Sequence, residues 1–506
     1  MGGDSNGTPV RHVGVGIIGA GLGGLGMAIR LKQEGRDDFV VWEREPDVGG
    51  TWWANTYPGC QCDVPSHLYS FSFAPNPEWR RTYATQPEIE RYVKRLTTDF
   101  GLWPSIELDC AVLHATWDDD DHVWRVATER DDYTADALVA APGPLSEPAI
   151  PDLDGLDAFA GTTFHTANWK HDEDLTGRRV AVIGTGASAI QVVPKLQPQV
   201  EHLTVFQRTP PWVVPHGDRP IGERERRVFR RAPVVQRAIR TGVYLSRELL
   251  VPGLAYRPQL MRLPERLARR HLERQVPDPD LRARLTPDYA IGCKRIVPSN
   301  RWYPAITKPN VDVVTDGIER IEPNGIVDCT GTLHEVDTII FATGFHVTDI
   351  RIAHRITGRD RTLLADRWDG SPRAYRGTTV AGFPNLFFLV GPNTGLGHNS
   401  IVFMIEAQLN YIAGALEHMR EAGATRLEVK PRAQDAYNEH LQRKLARTVW
   451  NTGGCSSWYL DRTGRNATIW PDFTFRFWTR MRRFDPQAYD TATAPSRAVR
   501  APLVAA

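Results

Sequence analysis

The 506-residue chain predicts an α/β fold: two Rossmann-like dinucleotide-binding domains with a helical insertion. Three observations carry this expectation. The apolar run of residues 12–20 leads into a glycine turn, Gly19-Ala20-Gly21-Leu22-Gly23-Gly24, and residues 22–34 then show helical periodicity. A second turn, Gly184-Thr185-Gly186-Ala187-Ser188-Ala189, stands between the strand-like RRVAVIGTG and the helix-like ASAIQVVPKL. Between that unit and its continuation, residues 221–275 are Arg-rich, carry Leu and Val at helical spacing, and are broken by Pro233, Pro252, Pro258 and Pro264. One glycine turn is a weak signal. Two of them, each between a strand and a helix, imply that one chain holds two dinucleotides.

Along the chain, the second strand, Phe39-Val-Val-Trp42, ends in Glu43 and completes the first βαβ unit. Residues 136–151 read as a strand with a proline-rich exit, a domain junction. The second βαβ unit spans Arg179 to Arg208, and β-like segments from 311 to 345 close its domain. Residues 386–400 and the helical 403–419 should return the chain to the first domain. The expected division is therefore 1–145 and 382–506 for one dinucleotide domain with a C-terminal loop, 146–216 and 291–381 for the other, and 217–290 for the insertion. The insertion's basic character fits either a solvated helix face or a contact with a membrane surface or partner.

Composition narrows the class. A net charge of +1 argues against a nucleic-acid binder working through bulk electrostatics. No apolar run approaches the roughly 18 residues of a spanning helix. The N-terminus lacks the apolar stretch of a secretory signal, and Asn6 breaks the myristoylation pattern. The six cysteines are scattered, unlike a disulfide scaffold, and a reducing cytoplasm is the expected setting.

The two turns differ in what they should bind. Glycines give the tight bend, the close backbone approach to a pyrophosphate and the helix–strand packing, and the helix N-terminus offers free N–H groups. Glu43 lies 22 residues after Gly21, where a carboxylate can accept from both ribose hydroxyls of an adenosine without a 2′-phosphate, such as that of FAD. The same offset from Gly186 reaches Arg208, which favours a 2′-phosphate and hence NADPH, with Thr209 as a further donor.

Between the turns, Phe159, Gly161, His165 and Trp169 form F-x-G-x-x-x-H-x-x-x-W. This pattern resembles the fingerprint of type I Baeyer–Villiger monooxygenases, and similarity to that family runs from about residue 12 to about residue 475. Gly49-Gly50-Thr51-Trp52 with Asn55-Thr-Tyr-Pro-Gly59 resembles its flavin loop, and Cys62-Asp63 through Tyr69 its active-site aspartate segment. Gly292-Cys-Lys294-Arg295 resembles the motif with the catalytic arginine, Phe341-Ala-Thr-Gly-Phe345 a hinge, and Gly454-Cys-Ser-Ser-Trp458-Tyr459 the C-terminal tryptophan loop. NTYPG and DVPSHLYSFSF are closer to the hydroxyacetophenone-oxidising branch than to the cyclohexanone one.

The resemblance implies FAD and NADPH as cofactors, a small ketone and O2 as substrates, and an ester or lactone as product, formed through a C4a-peroxyflavin. It implies that Gly50, Thr51, Trp52, Asp63 and Tyr69 join Gly19, Gly21, Gly24 and Glu43 around FAD. Arg295 would stabilise the peroxide and the tetrahedral adduct, and Asp63 would pair with it. Lys294 would join Arg208 and Thr209 at the 2′-phosphate, Trp458 would contact the nicotinamide-side ribose, and His165 would shape the interdomain hinge. Three departures stand out: Lys170 after Trp169, Pro142 in the first hinge motif, and Ala54 where larger side chains are usual. N- or S-oxidation is the nearest rival. A disulfide reductase needs a redox dithiol that Cys60-Gln-Cys62 does not supply, and a non-catalytic flavoprotein is the remote alternative.

Overall fold

The structure, a computed structural model, describes residues 10–494; the N-terminal segment read above for leader and lipidation patterns, and residues 495–506, lie outside them. Two mostly parallel sheets organise the chain. In the first, β1 (Arg11–Ile18) leads through α1 (Leu22–Gln33) to β2 (Phe39–Trp42), and β1 pairs in parallel with β2 on one side. The four residues of β2 are all buried, as expected of a strand covered on both faces. After α2 (Thr51–Ala54) and α3 (Gln86–Asp99), β3 (Ile106–Glu107) extends the edge beyond β2.

An antiparallel meander follows: β4 (Val112–Asp118), β5 (Val123–Thr128) and β6 (Asp132–Ala140). This long β6 pairs in parallel with β1 along almost its whole length, from Tyr133 to Ala140, and Leu386–Phe388 returns to pair with Leu138–Ala140. The second sheet is wholly parallel. Its β7 (Thr162–His165) carries the fingerprint histidine, and β8 (Arg179–Ile183), α4 (Ala187–Leu196) and β9 (His202–Phe206) form the second βαβ unit. Thr338–Phe341 lies between β7 and β8, and Val311–Val314 pairs with the far side of β9.

The two units repeat one device. Gly19 (φ +98°) donates to Trp42 O at 2.8 Å, and Ala141 N–H donates to Ile18 O at 2.9 Å. Gly184 (φ +109°) donates to Phe206 O at 3.0 Å, and Ala342 N–H donates to Ile183 O at 2.9 Å. In each case a Cβ would strike the carbonyl of the facing alanine, at 2.7 Å for Gly19 and 2.5 Å for Gly184. Sterics and positive φ therefore both require glycine there.

The insertion is helical: α5 (Glu223–Arg231), α6 (Pro233–Glu248), α7 (Arg262–Gln275) and α8 (Pro279–Arg284), with a π turn at Pro252–Tyr256 and a 3₁₀ turn at Pro258–Met261. Arg240 of α6 bonds the carbonyls of His67 and Ser70, and the buried Glu248 binds Asn399 and Thr474, so α6 is keyed to the first domain. Outward, α6 exposes Val234, Val235, Ile239, Leu245 and Leu249. Arg237, Thr241 and Ser246 are exposed beside them, so the outer side of α6 mixes apolar and polar side chains. Among the described residues no helix is long and apolar enough to cross a membrane.

One expectation is corrected. Cys293 and Cys455, 162 residues apart, are joined in a disulfide, while Cys60, Cys62, Cys110 and Cys329 are free. Scattered spacing hid the pair because the loops that carry them meet only in the folded chain.

Candidate active site

At the first turn, α1 begins at Gly21 with no side-chain cap, which leaves its first N–H groups to an anion. Gly24 packs so tightly that a Cβ would lie 1.9 Å from Gly19 O, and a Cβ on Gly50 would lie 3.0 Å from Gly21 Cα. The space beside the turn is thus bounded by bare backbone, which suits a pyrophosphate. Glu43 is buried at the end of β2; its Oε2 accepts from Ala20 N–H at 2.6 Å and its Oε1 from Glu45 N–H at 3.0 Å. Burial raises its pKa against those two bonds. Each oxygen keeps a lone pair for a ribose hydroxyl.

The flavin-loop residues share one wall. Gly50 caps α2, whose first two residues are Thr51 and Trp52, and Trp52 Nε1 donates to the Tyr69 hydroxyl at 3.0 Å. Burial pushes the Tyr69 hydroxyl's pKa up, so it stays a neutral donor. The same loop reaches the second domain: Tyr57 donates to Gln191 Oε1 of α4 at 2.9 Å and also faces Ser188.

At the second turn, α4 starts at the uncapped Gly186, and nothing lies within 4 Å of where its Cβ would be. Ala187 is exposed, whereas Ala189 is fully buried with room for its methyl. Thr185 Oγ1 donates to Thr209 O at 2.9 Å, holding the loop after β9. Arg208 is exposed, and Lys294 lies near enough that burial and then the Arg208 charge lower the lysine's pKa. Two cations share this place; the Asp288 carboxylate acts back on Lys294, but among the described residues no ion pair ties a carboxylate to either cation, which fits a phosphate.

Arg295 and Asp63 come together from 232 residues apart in a bidentate pair, Nε to Oδ2 at 2.5 Å and Nη2 to Oδ1 at 2.6 Å. The arginine's Nη1 donates to Leu396 O at 3.0 Å. Three of the five guanidinium N–H donors are engaged, leaving two. Burial disfavours both charges, but each sustains the other: Asp63 is held below the usual carboxylate range and the Arg295 pKa is raised. Three residues here were given no part at this pair by the sequence, Tyr459 being read only as the end of the tryptophan-loop motif. Leu396 contributes only a carbonyl, and Arg247 of α6 adds to the field at Asp63. Tyr459, fully buried next to the pair, has a hydroxyl with no partner and a pKa pushed up by burial to about 12.

Trp458 is 46% exposed in its loop. His165 is buried at the end of β7, with Nδ1 accepting from Ala167 N–H at 3.1 Å and its ring against Phe345 at 5.6 Å. Burial lowers its pKa to about 4, so it is neutral at pH 7. In the rest of the fingerprint, Trp169 packs edge-on against Phe164 at 5.1 Å, and a Cβ on Gly161 would strike Asp337 O and the Phe159 ring. Lys170 is exposed. Thr343 of the second hinge motif donates to Ala149 O at 2.5 Å, a bond that Pro142 cannot make in the first. Cys60 and Cys62 are buried with pKa values pushed up, to about 12 for Cys60, the opposite of a redox dithiol.

Comparison with known proteins gives the family. The family model described as pyridine nucleotide-disulphide oxidoreductase matches residues 16–221, the span that holds both glycine turns. A Baeyer-Villiger monooxygenase of Pseudomonas aeruginosa is 52% identical over 97% of this chain and 93% of its own length. One of Streptomyces coelicolor is 51% identical over 95% and 92%. Among solved structures, oxidized steroid monooxygenase bound to NADP superposes with a TM-score of 0.84 at 31% identity, covering 96% of this chain and all of that one. A closed cyclohexanone monooxygenase gives 0.85 at 29%, with the same coverage. The chain belongs to the Baeyer–Villiger family of class B flavoprotein monooxygenases.

Proposed function

We propose that this enzyme inserts one oxygen atom of O2 beside a ketone carbonyl to give an ester or lactone. It is an FAD- and NADP(H)-dependent monooxygenase. The observation that carries the finer reading is the Arg295–Asp63 pair with its two uncommitted N–H groups. When bound, FAD reduced by NADPH supplies the activated oxygen, at flavin carbon 4a. Arg295 offers its free donors to the oxyanion that develops on the former carbonyl oxygen, a fixed cation where charge appears. Asp63 and the Leu396 carbonyl hold the guanidinium plane, so no reorganisation is needed as that charge forms.

Gly19, Gly21, Gly24 and Glu43 hold the FAD pyrophosphate and adenosine ribose; Gly50, Thr51, Trp52 and Tyr69 line its redox end. Gly184, Thr185, Gly186, Ala187, Ser188 and Ala189 receive the NADPH pyrophosphate, Arg208, Thr209 and Lys294 its 2′-phosphate, and Trp458 its nicotinamide-side ribose. Phe159, Gly161, His165 and Trp169 shape the hinge between the domains. The segments NTYPG and DVPSHLYSFSF support a reading in the hydroxyacetophenone-type branch, with a small ketone as substrate and the cytoplasm as setting. The test is NADPH oxidation with product mass analysis across aryl, cyclic and steroid ketones. A gain of one oxygen with ester fragmentation supports the reading; turnover only of amines or sulfides to N- or S-oxides overturns it.

A further inference from the structure

We propose that the Cys293–Cys455 disulfide is a redox-reversible clamp that positions the Trp458 loop over the NADP(H) site, a proposal that rests on the roles given above to Lys294 and Trp458. The bond joins the two loops at their functional ends. Cys293 directly precedes Lys294 and Arg295, and Cys455 stands three residues before Trp458 and four before Tyr459. Their Cα atoms are 6.1 Å apart although 162 residues separate them. Among the described residues, the one backbone hydrogen bond between these loops is from Ala290 N–H to Gly453 O at 2.9 Å. Gly453 is what lets them approach: a Cβ there would lie 2.7 Å from Cys293 Cβ.

Access to the two sulfurs is unequal. Cys293 is 1% exposed, whereas Cys455 is half-buried between the exposed Gly454 and Ser456. A dithiol reductant therefore attacks at Cys455. Its thiolate bonds to Cys455 Sγ, and Cys293 leaves as a thiolate that takes up a proton. The reductant's second thiol then attacks the mixed disulfide, releases the Cys455 thiol and closes the reductant's own disulfide. Two electrons pass from the dithiol to the cystine, and a disulfide oxidant reverses the exchange. In a reducing compartment such a bond cycles rather than persists, which is the usual role of an intracellular disulfide. Once reduced, the Trp458 loop must be ordered at each binding event, so the cofactor is held more weakly.

The test uses the full-length, FAD-loaded protein. Thiols are trapped by alkylation and mapped by non-reducing peptide mass analysis before and after dithiothreitol. NADP+ is titrated by the change in flavin absorbance, with no ketone present, so the outcome does not depend on the oxygenation reaction. The clamp predicts four free thiols rising to six on reduction. It predicts a dissociation constant for NADP+ raised roughly three- to ten-fold. Flavin reduction at saturating NADPH should change by less than about two-fold, a split that general unfolding does not produce. Oxidised glutathione should restore the wild type. Cys455→Ser should match reduced wild type without dithiothreitol, and Cys293→Ser/Cys455→Ser should ignore it. Two results overturn the proposal: no 293–455 disulfide peptide in the trapped protein, or full reduction with unchanged NADP+ affinity. Absence of any NADP+ response in either form instead removes the reading of the second turn, and the clamp with it.

Discussion

Arg295 is held from two sides, by the Asp63 carboxylate and the Leu396 carbonyl, and its geometry makes the residue-scale outcomes specific. Asp63 has a folded pKa below its unfolded value, so the pair stabilises the fold fully above the ordinary carboxyl range, about pH 4. That contribution is lost as pH falls through the lowered folded pKa. Asp63→Asn should therefore melt below wild type at pH 7, with the gap closing only in strong acid; a gap that closes between pH 6 and 7 would contradict the pairing. At the other cofactor, Arg208→Ala should raise the Michaelis constant for NADPH roughly 10- to 150-fold, the worth of one charge-assisted hydrogen bond. The constant for NADH should hardly move, and an equal response would end the 2′-phosphate assignment. His165, neutral near pH 7, should act through packing: His165→Gln should lower the rate without removing an ionisation between pH 6 and 8 from the profile.

At the scale of elements, the glycine turns make opposite demands. Gly24→Ala forces a Cβ into Gly19 O and should yield protein that is colourless or does not fold. Gly186→Ala meets open space, so the protein should fold and stay yellow while NADPH binding weakens; loss of flavin there would show that the two turns are not separate sites. Both βαβ units were legible in the sequence because a glycine turn, its strand and its helix are contiguous. The meander of β4, β5 and the first part of β6 was not, because no glycine turn or helix marks it in the sequence and its place is set by pairing with β1. The same limit hid the Cys293–Cys455 bond and the part of Tyr459, whose neighbours at the site are far away in sequence. Asp63 and Arg295 could be named from motifs, but only the fold brings their side chains into one bidentate pair.

For the whole molecule, the site is assembled from pieces that belong to different parts of the chain: Asp63 from a loop of the first domain, Arg295 from the segment that follows the insertion, and Leu396 from the returning segment. The proposed assignment rests flavin binding and reduction on other residues than Arg295, so oxygen insertion should be separable from both. The direct test is turnover of wild type and Arg295→Ala under ¹⁸O2 with NADPH and a ketone, read by product mass. Wild type should give ester carrying one ¹⁸O. Arg295→Ala should remain yellow and still be reduced by NADPH, yet release hydrogen peroxide in place of ester, because a preorganised oxyanion donor is worth roughly 3–4 kcal/mol, or two to three orders of magnitude in rate. Labelled ester formed by Arg295→Ala at near the wild-type rate would contradict the account.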